Sequence, residues 1–414
     1  MPLPVRVALI GPLPPELGGS GPGGVATHQA HLAAGLSLLP DVRIALLATN
    51  ARELAPLPYV AWPLRAPAGV QSWLAPAYLR RVGAPRLVRY ALRLASSEPY
   101  GSRRERLANL LWYRYFLYTA QPDVVHVQHP LERLAHVNDV ARLERRRWPL
   151  VVTAHSFFGE HAESVIRGFM APNLRTADRV IAVSPHIADQ AAQLGVDRAR
   201  IRVIRSGIDT DRYRLRDRLL ARSRLGLAAD APLVLFVGNL EPRKQLAVLL
   251  RAFSRVRALV PAALLIIVGA GEELGPLETL AAQLGIANAA CFTGRVEHET
   301  LLDWYAAADV FALPSSSQAQ GIVALEAMAC GLPVVAAAVG GLLGTIDDSE
   351  NGYLVSPGEV EPLAQRLSQL LCDPALRESI GAAALSKVGR EFSWQRTIQA
   401  TADVYRELLE CPSR

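Results

Sequence analysis

Residues 310–335 read VFALPSSSQAQGIVALEAMACGLPVV, and their pattern is the clearest indication of the fold. An apolar run, Val310–Leu313, leads into a polar loop. The helix-like segment that follows carries the small residues Ala327, Ala329 and Gly331, which permit close packing, and a second apolar run begins at Val334. The order strand, loop, helix, strand predicts a βαβ unit with parallel strands.

The same alternation extends in both directions along the chain. The apolar runs are nearly continuous, as in strands that are buried on both faces of a sheet. Strands are predicted at Val5–Ile10, Val42–Thr49, Asp123–Gln128, Leu150–Ala154, Arg179–Val183, Ile201–Ile204, Leu233–Val237, Leu264–Val268, Ala290–Thr293, Val310–Leu313, Val334–Ala337 and Tyr353–Val355. Helices are predicted at Val25–Leu39, Ile187–Leu194 and Trp394–Leu409.

A polar, Arg-rich segment at 209–230 interrupts this rhythm and predicts a domain boundary near Asp211. The fold class is therefore α/β, with two doubly wound parallel-sheet domains in tandem. We predict a first domain at 1–210, a second at 211–393, and a C-terminal helix at 394–414 that crosses back to the first domain.

Composition excludes several classes of protein. The chain has 414 residues, of which 50% are hydrophobic, and a net charge of +6, so it is not a mostly disordered protein. No apolar run reaches the ~18 residues of a membrane-spanning helix, and the N-terminus lacks a signal-peptide pattern. None of the 4 cysteines lies in a CxxC pair, which favours a reducing, cytoplasmic location.

Positive charge is concentrated in the first half. Through Arg205 the chain has 25 Arg and Lys residues against 14 Asp and Glu, and the remainder has 19 against 24. Either an anionic partner or a general preference for arginine explains this excess of positive charge. The lysine count indicates such a preference, since Lys244 and Lys387 are the only lysines. The Pro56–Pro99 region, in which we predict no strand, fits a basic amphipathic helix on an anionic membrane surface or a solvated helix face. The arginines of the proposed helix are Arg80, Arg81, Arg86, Arg89 and Arg93. No nucleic-acid-binding module is recognised, so we expect no nucleic-acid partner.

Ligands of open α/β sheets bind beyond the carboxyl ends of the strands, and, besides the loop at 314–321, which contains Gly321, four such loops carry glycine. The first, residues 18–24, precedes a predicted helix. The free N–H groups at the start of that helix suit a diphosphate; the alternative is a loop that is merely flexible. The second runs from Gly238 to Lys244, whose compact charge suits phosphate oxygens. The third contains Gly269 and is either a tight turn or a ligand-binding loop. The fourth contains Gly340-Gly341.

Glu326 lies within an otherwise apolar helix, where burying a carboxylate is costly unless it has partners. A sugar diol is such a partner, and a helix-surface position is the alternative.

Asp209-Thr210-Asp211 matches the DxD pattern of some metal-dependent sugar transferases, but its place after a turn favours a capping role. The chain's histidines do not have metal-ligand spacing on one helix, so we assign no metal; those considered are His126, His129, His155 and His161.

Taken together, the order and spacing of these motifs resemble the family-4 retaining glycosyltransferases, which have the GT-B fold. The similarity covers nearly the whole chain and is strongest from Leu233 to Val355. The motifs that carry it are Gly23-Gly24-Val25, Thr153-Ala154-His155, Val183-Ser184-Pro185, Ser206-Gly207-Ile208-Asp209, Gly238 to Lys244, Val268-Gly269-Ala270-Gly271, Phe292-Thr293-Gly294, and Ala308-Asp309-Val310 with Leu325 to Val335.

The resemblance implies two Rossmann-like domains facing a cleft, with a nucleotide-diphosphate sugar on the second and most of the acceptor site on the first. It implies that Lys244 binds the diphosphate, that Glu326 binds the ribose and that His155 lies by the donor sugar. Catalysis is then metal-independent, with the leaving phosphate taking the acceptor proton. Catalytic positions are His155, Arg243 and Lys244. Donor-binding positions are Gly23, Gly24, Gly238, Asn239, Gly269, Gln318, Gly321, Ile322, Val323, Glu326, Gly340 and Gly341.

Three positions depart from the family pattern. Asn239 stands where an arginine is usual, with Arg243 nearby to restore the charge; Gln318 replaces a glutamate; and Leu343-Gly344 replace Pro-Glu. The resemblance implies transfer of a sugar from a UDP- or GDP-sugar to an acceptor hydroxyl, with no separate cofactor. The basic first half of the chain leads us to expect a lipid-linked or cell-envelope glycan as the acceptor and peripheral membrane contact through the first domain. The alternative is a catalytically impaired GT-B scaffold that binds a nucleotide or glycan and serves a partner enzyme.

Overall fold

The computed structural model describes residues 3–19, 24–51, 54–63, 103–129, 132–157 and 163–410. The chain forms two compact units. The first comprises Met1–Arg205 and Trp394–Arg414, and the second comprises Ser206–Ser393. The predicted boundary at Asp211 falls inside the second unit, close to its start.

The described part of the first unit contains a seven-stranded parallel sheet in the order β3-β2-β1-β4-β5-β6-β7. Its strands are β1 Val5–Gly11, β2 Val42–Ala48, β3 Val60–Pro63, β4 Val124–Gln128, β5 Leu150–Ala154, β6 Arg179–Ala182 and β7 Ile201–Val203. Its helices, in chain order, are α1 Gly24–Ser37, α2 Arg103–Ala120, α3 Glu132–Glu144, α4 Glu163–Val165, α5 Ala171–Leu174 and α6 Pro185–Gln193. A π-helical segment, Ile166–Met170, joins α4 to α5. Single 3-10 turns lie at Pro15–Leu17 and Arg198–Arg200.

The second unit has a six-stranded parallel sheet in the order β10-β9-β8-β11-β12-β13. The strands are β8 Leu233–Val237, β9 Leu264–Val268, β10 Ala290–Gly294, β11 Val310–Leu313, β12 Val334–Ala337 and β13 Gly352–Val355. The helices are α7 Arg218–Arg224, α8 Leu246–Leu259, α9 Leu274–Gln283, α10 His298–Ala307, α11 Ile322–Ala329, α12 Leu342–Thr345, α13 Val360–Cys372 and α14 Pro374–Glu391, with a 3-10 turn at Pro242–Lys244.

The last helix, α15 Trp394–Glu410, belongs to the first unit. It packs against α1 where Gly35 lets the two backbones approach: a Cβ at Gly35 would lie 1.9 Å from Cδ1 of Ile398. Tyr405 and Leu408 of α15 are buried in the same core cluster as Leu32 of α1. Apolar residues on one face of α15 thus cover the sheet's first helix.

The sequence predicted these elements closely, with one error. The twelve predicted strands are confirmed, with ends that agree or shift by one residue, but β3 lies in the region where no strand was expected. β3 is a four-residue edge strand whose side chains are exposed or half-buried, so it lacks the continuous apolar run of a central strand. The arginines proposed for a basic amphipathic helix lie outside the described residues. Within the described part of the chain, no helix is both long and apolar enough to span a membrane.

Candidate active site

The loops after β8 and β11 lie at the crevice of the second sheet. The chain runs outward from β8 through β9 to β10, then begins again on the other side of β8 with β11. Such a switch point opens a crevice at the carboxyl ends of the strands, which is where ligands of doubly wound sheets bind. The backbone N–H of Ser316, after β11, donates to the carbonyl of Arg243, after β8, at 2.8 Å. The two loops are therefore tied together.

Glycine allows the loops after β8 and β9 to pack directly on each other. A Cβ at Gly269 would lie 1.9 Å from the carbonyl oxygen of Gly238, and Gly269 has a φ of +143°. A Cβ at Gly271 would lie 2.2 Å from the carbonyl oxygen of Leu240. Close backbone packing is enough to account for glycine at 269 and 271.

Lys244 is a buried cation without a hydrogen-bond partner among the described residues. Its side chain is only 7% exposed, and a Cβ at Gly238 would lie 3.8 Å from its Cε. Burial, followed by repulsion from Arg243, lowers the pKa of Lys244 to about 8. The charge of the nearby Glu241 carboxylate offsets only part of this effect. Burying a charge is costly unless it is paired, so an anion bound at Nζ would relieve the remaining cost.

Arg243 and Asn239 both bind the same carboxylate. Nε of Arg243 donates to Glu241 at 2.7 Å, and Nδ2 of Asn239 donates to the other carboxylate oxygen at 2.9 Å. Partial burial acts to raise the pKa of Glu241, but these hydrogen bonds and the charge of Arg243 outweigh it and lower that pKa. In this arrangement the charge of Arg243 is directed at Glu241.

Three side chains hold the loop after β11, and two of them, Gln320 and Thr345, were missed by the sequence reasoning. Gln320 is buried, and its amide both accepts from the N–H of Ser206 and donates to the Ser206 carbonyl, each at 3.0 Å. The Thr345 hydroxyl is 3.1 Å from the Gln320 carbonyl, and Nε2 of Gln318 donates to the Ser315 hydroxyl at 3.1 Å. A buried glutamine in a loop is a weak sequence signal, because only its distant partner shows what it does.

Gly321 and Gly341 shape the entry to α11. Gly321 has a φ of +83°, a left-handed conformation that suits glycine, and it precedes Ile322 and Val323. The first N–H groups of a helix have no intrahelical acceptor, so those of Ile322 and Val323 suit an anionic or hydroxyl ligand. A Cβ at Gly341 would lie 2.0 Å from the Ala319 carbonyl oxygen, and the φ of Gly340 is +53°.

Glu326, in α11, lies beside two tyrosines. The hydroxyl of buried Tyr305 donates to its Oε2 at 2.8 Å. Burial raises the pKa of Glu326 to about 7, although hydrogen bonds from Tyr305 and Tyr213 act in the opposite direction. The carboxyl group therefore titrates near neutral pH and keeps acceptor capacity for a ligand hydroxyl.

In the first unit, His155 follows β5 and joins a buried polar cluster. Its Nε2 lies 2.8 Å from Oε1 of Gln128, at the end of β4, and its ring meets that of His28 at 4.7 Å, edge to face. Burial lowers the pKa of His155 well below its usual value, and the neighbouring His28 adds to this effect. His155 is therefore neutral at pH 7.

Gln29, on α1, is a second feature that the sequence reasoning missed. It is fully buried, and among the described residues neither its amide oxygen nor its amide nitrogen has a hydrogen-bond partner. A Cβ at Gly11 would lie 1.8 Å from Oε1 of Gln29 and 2.8 Å from Cβ of Gln128, so the glycine at 11 leaves room for both side chains. Gly24 begins α1, whereas Gly23 lies outside the described residues.

The DxD pattern serves a turn. One carboxylate oxygen of Asp209 accepts from the N–H groups of Asp211 and Arg212, both at 3.1 Å. Among the residues described, no group of three or more His, Cys, Asp or Glu side chains is placed to hold a metal ion.

Two family models and a set of relatives match the chain. The model described as Glycosyl transferases group 1 matches residues 217–387, and Glycosyltransferase Family 4 matches residues 22–212. D-inositol 3-phosphate glycosyltransferase 2 of Catenulispora acidiphila is 35% identical over 310 residues, covering 70% of this chain and 71% of the relative. D-inositol 3-phosphate glycosyltransferase of Geodermatophilus obscurus is 38% identical over 313 residues, covering 70% and 67%.

Solved structures with the same architecture are more distant in sequence. Sucrose-phosphate synthase from Thermosynechococcus elongatus has a TM-score of 0.75 at 23% identity, covering 98% of this chain and 99% of that one. HepE from Anabaena, solved with UDP and glucose, has a TM-score of 0.73 at 21% identity, covering 97% and 100%. Two doubly wound parallel sheets in tandem, both family models and the curated relatives agree: this chain belongs to the family-4 glycosyltransferases and has the GT-B fold.

Proposed function

We propose that this glycosyltransferase transfers a sugar from a nucleotide-diphosphate sugar to an acceptor hydroxyl, with retention of anomeric configuration and without a metal. The observation that carries the proposal is Lys244, a buried cation with no hydrogen-bond partner among the described residues, at the switch point of the second sheet. A diphosphate supplies the missing negative charge.

Other groups around Lys244 suit the remaining parts of such a donor. The free N–H groups at the start of α11 suit phosphate or hydroxyl oxygens, and Glu326 suits the ribose diol because a carboxylate accepts from two hydroxyls. HepE, a structural neighbour, was solved with UDP and glucose and with UDP-glucose, which supports a UDP-sugar as the first donor to test, ahead of a GDP-sugar.

For the chemical step, we propose that the protein positions groups and stabilises charge on the leaving diphosphate, while that phosphate takes the acceptor proton. Lys244 stabilises the leaving charge. His155, neutral at pH 7, contributes a hydrogen bond to the donor sugar rather than a positive charge.

The relatives named for D-inositol 3-phosphate make a phosphorylated polyol the first acceptor to test. A lipid-linked or cell-envelope glycan is the second. The excess of arginine in the first half of the chain favours an anionic acceptor, or an acceptor presented at an anionic surface.

The first experiment is a thermal-shift screen with UDP, GDP, ADP and their common sugar conjugates. A ligand at 100 times its dissociation constant stabilises the folded protein by about 2.7 kcal/mol. We expect one nucleotide to raise the melting temperature selectively. Folded protein that responds to none of them would reject the proposed donor class.

The second experiment replaces Lys244 by alanine. We expect Lys244→Ala to lower turnover at least about tenfold and to reduce the shift caused by the nucleotide, because the diphosphate loses a partly desolvated cation. Arg251→Ala is the matched control, since Arg251 is an exposed cation on α8 of the same unit. Unchanged turnover in Lys244→Ala would remove the diphosphate from this position.

A catalytically impaired scaffold that binds a nucleotide or glycan is the second candidate. It is favoured by the ion pair between Arg243 and Glu241, because Arg243 then does not replace the charge missing at Asn239. Selective nucleotide binding without transfer to any acceptor would support the scaffold over the enzyme.

A further inference from the structure

A continuous chain of hydrogen bonds runs behind His155 to the C-terminal helix. The hydroxyl of Tyr405, on α15, lies 2.6 Å from Nδ1 of His126. Nε2 of His126 lies 2.7 Å from the hydroxyl of Thr153 and 3.4 Å from Nε2 of Gln128. Oε1 of Gln128 then lies 2.8 Å from Nε2 of His155.

Most of the side chains in this chain of hydrogen bonds are inaccessible to water. Tyr405, His126 and Gln128 are each 0% exposed and Thr153 is 1% exposed. Burial, with a further contribution from His28, lowers the pKa of His126 to about 3, so this imidazole is neutral, as is His155. A neutral imidazole has one N–H donor and one acceptor nitrogen, and in a dry network each must match its partner.

These matches couple the two histidines through one amide. The NH₂ group of Gln128 can only donate, so in this orientation of the amide Nε2 of His126 is an acceptor, for Gln128 and for the Thr153 hydroxyl alike, and the proton of His126 lies on Nδ1, where the Tyr405 oxygen accepts it. The oxygen of Gln128 can only accept, so it requires a proton on Nε2 of His155. Turning the amide over would exchange every donor and acceptor and would place the proton of His155 on Nδ1.

We propose that Gln128, held by His126 and Tyr405, is a positioning residue that keeps His155 protonated on Nε2 and leaves the Nδ1 lone pair to accept from a sugar hydroxyl. The proposal rests on the role of His155 in the proposed function. Nδ1 of His155 has no hydrogen bond among the described residues, and the side chain is partly exposed, so a ligand hydroxyl can reach it.

The test is Tyr405→Phe. Without the hydroxyl, an N–H at Nδ1 of His126 would be buried without an acceptor, at a cost of about 1–3 kcal/mol. Moving the proton to Nε2, facing Thr153, avoids that cost. The amide of Gln128 then turns over, and His155 becomes protonated on Nδ1.

The readout is the protonation of the ring nitrogens of His155, measured by ¹⁵N NMR of histidine-labelled protein. We expect the proton on Nε2 in the wild type and on Nδ1 in Tyr405→Phe. The turnover number of Tyr405→Phe should fall about tenfold while the nucleotide dissociation constant is unchanged. Tyr113→Phe is the matched control, since Tyr113 is also a buried tyrosine of the first unit but takes no part in this chain of hydrogen bonds.

A proton on Nδ1 of His155 in the wild type would overturn the proposal. So would a proton that stays on Nε2 of His155 in Tyr405→Phe. A switched tautomer with unchanged turnover would support the coupling and overturn its catalytic part, leaving nucleotide binding through Lys244 intact. If Tyr405→Phe does not fold, Gln128→Met serves instead. It removes the amide, so both tautomers of His155 should appear in its spectrum, and a single unchanged tautomer would overturn the proposal.

Discussion

The affinity for the nucleotide diphosphate should pass through a maximum between about pH 7 and pH 8. Two groups of the proposed donor site set the limits. Burial raises the pKa of Glu326 from its ordinary 4.5 to about 7, and burial together with Arg243 lowers the pKa of Lys244 from 10.5 to about 8. The ribose requires the ionised carboxylate, and the diphosphate requires the protonated amine.

The size of the effect follows from the ionised fractions. For a pKa of about 7, roughly 3% of Glu326 is ionised at pH 5.5 and roughly 76% at pH 7.5, which corresponds to an affinity loss of about 25-fold, or about 2 kcal/mol. For a pKa of about 8, the loss for Lys244 between pH 7.5 and pH 9.5 is similar, about 25-fold.

The assay is isothermal titration calorimetry with the nucleotide selected by thermal shift, across pH 5.5–9.5. Glu326→Gln should abolish the decline on the acid side and keep the decline on the alkaline side. Glu278→Gln, which alters an exposed carboxylate on α9, should behave like the wild type. A wild-type profile that is flat between pH 5.5 and pH 7.5 would refute the assignment of Glu326 to the ribose.

The same shift has a consequence for stability. The folded state holds a proton on Glu326 more tightly than the unfolded state does, so its contribution is fully present below about pH 4.5 and is lost as pH rises through about 7. Glu326→Gln should therefore be more stable than the wild type at pH 8, by at most about 3 kcal/mol. Denaturant unfolding at pH 5 and pH 8 measures this difference.

Three further substitutions test the rest of the second unit. Gly269→Ala should destabilise the protein by about 2–4 kcal/mol and weaken nucleotide binding, because its Cβ would lie 1.9 Å from the Gly238 carbonyl oxygen; a melting temperature within one degree of the wild type would contradict this packing. Gln318→Glu tests the departure from the family pattern: a gain in transfer of about tenfold would favour an impaired enzyme, whereas a loss would favour a site adapted to another sugar. Asp309→Asn should cost about 3–5 kcal/mol, measured by urea unfolding, because this buried carboxylate binds Arg218, Arg222 and the N–H of Leu233, and its loss leaves buried charge uncompensated.

The amino-acid sequence alone was enough to predict the order of strands and helices and the positions of the glycine-containing loops that follow the strands. Nearly continuous apolar runs such as Leu233–Val237 have one stable outcome, a strand buried between helices, and a glycine-rich turn after such a strand marks a place where backbone and ligand approach. Lys244 was recognisable because the chain otherwise uses arginine as its cation, and Glu326 because it is a carboxylate within an otherwise apolar helix. The edge strand β3 was missed because an exposed edge needs no continuous apolar run.

How polar side chains far apart in the chain meet is visible only in the folded protein. Gln320 holds Ser206 across 114 positions, and Tyr405 reaches His126 across 279. Donor and acceptor matching depends on distance and direction within about half an ångström, and spacing along the sequence carries no such information when the partners lie on different strands and helices. For the same reason the pKa values of Lys244, Glu326 and His155 follow from burial and neighbours, which exist only in the folded protein.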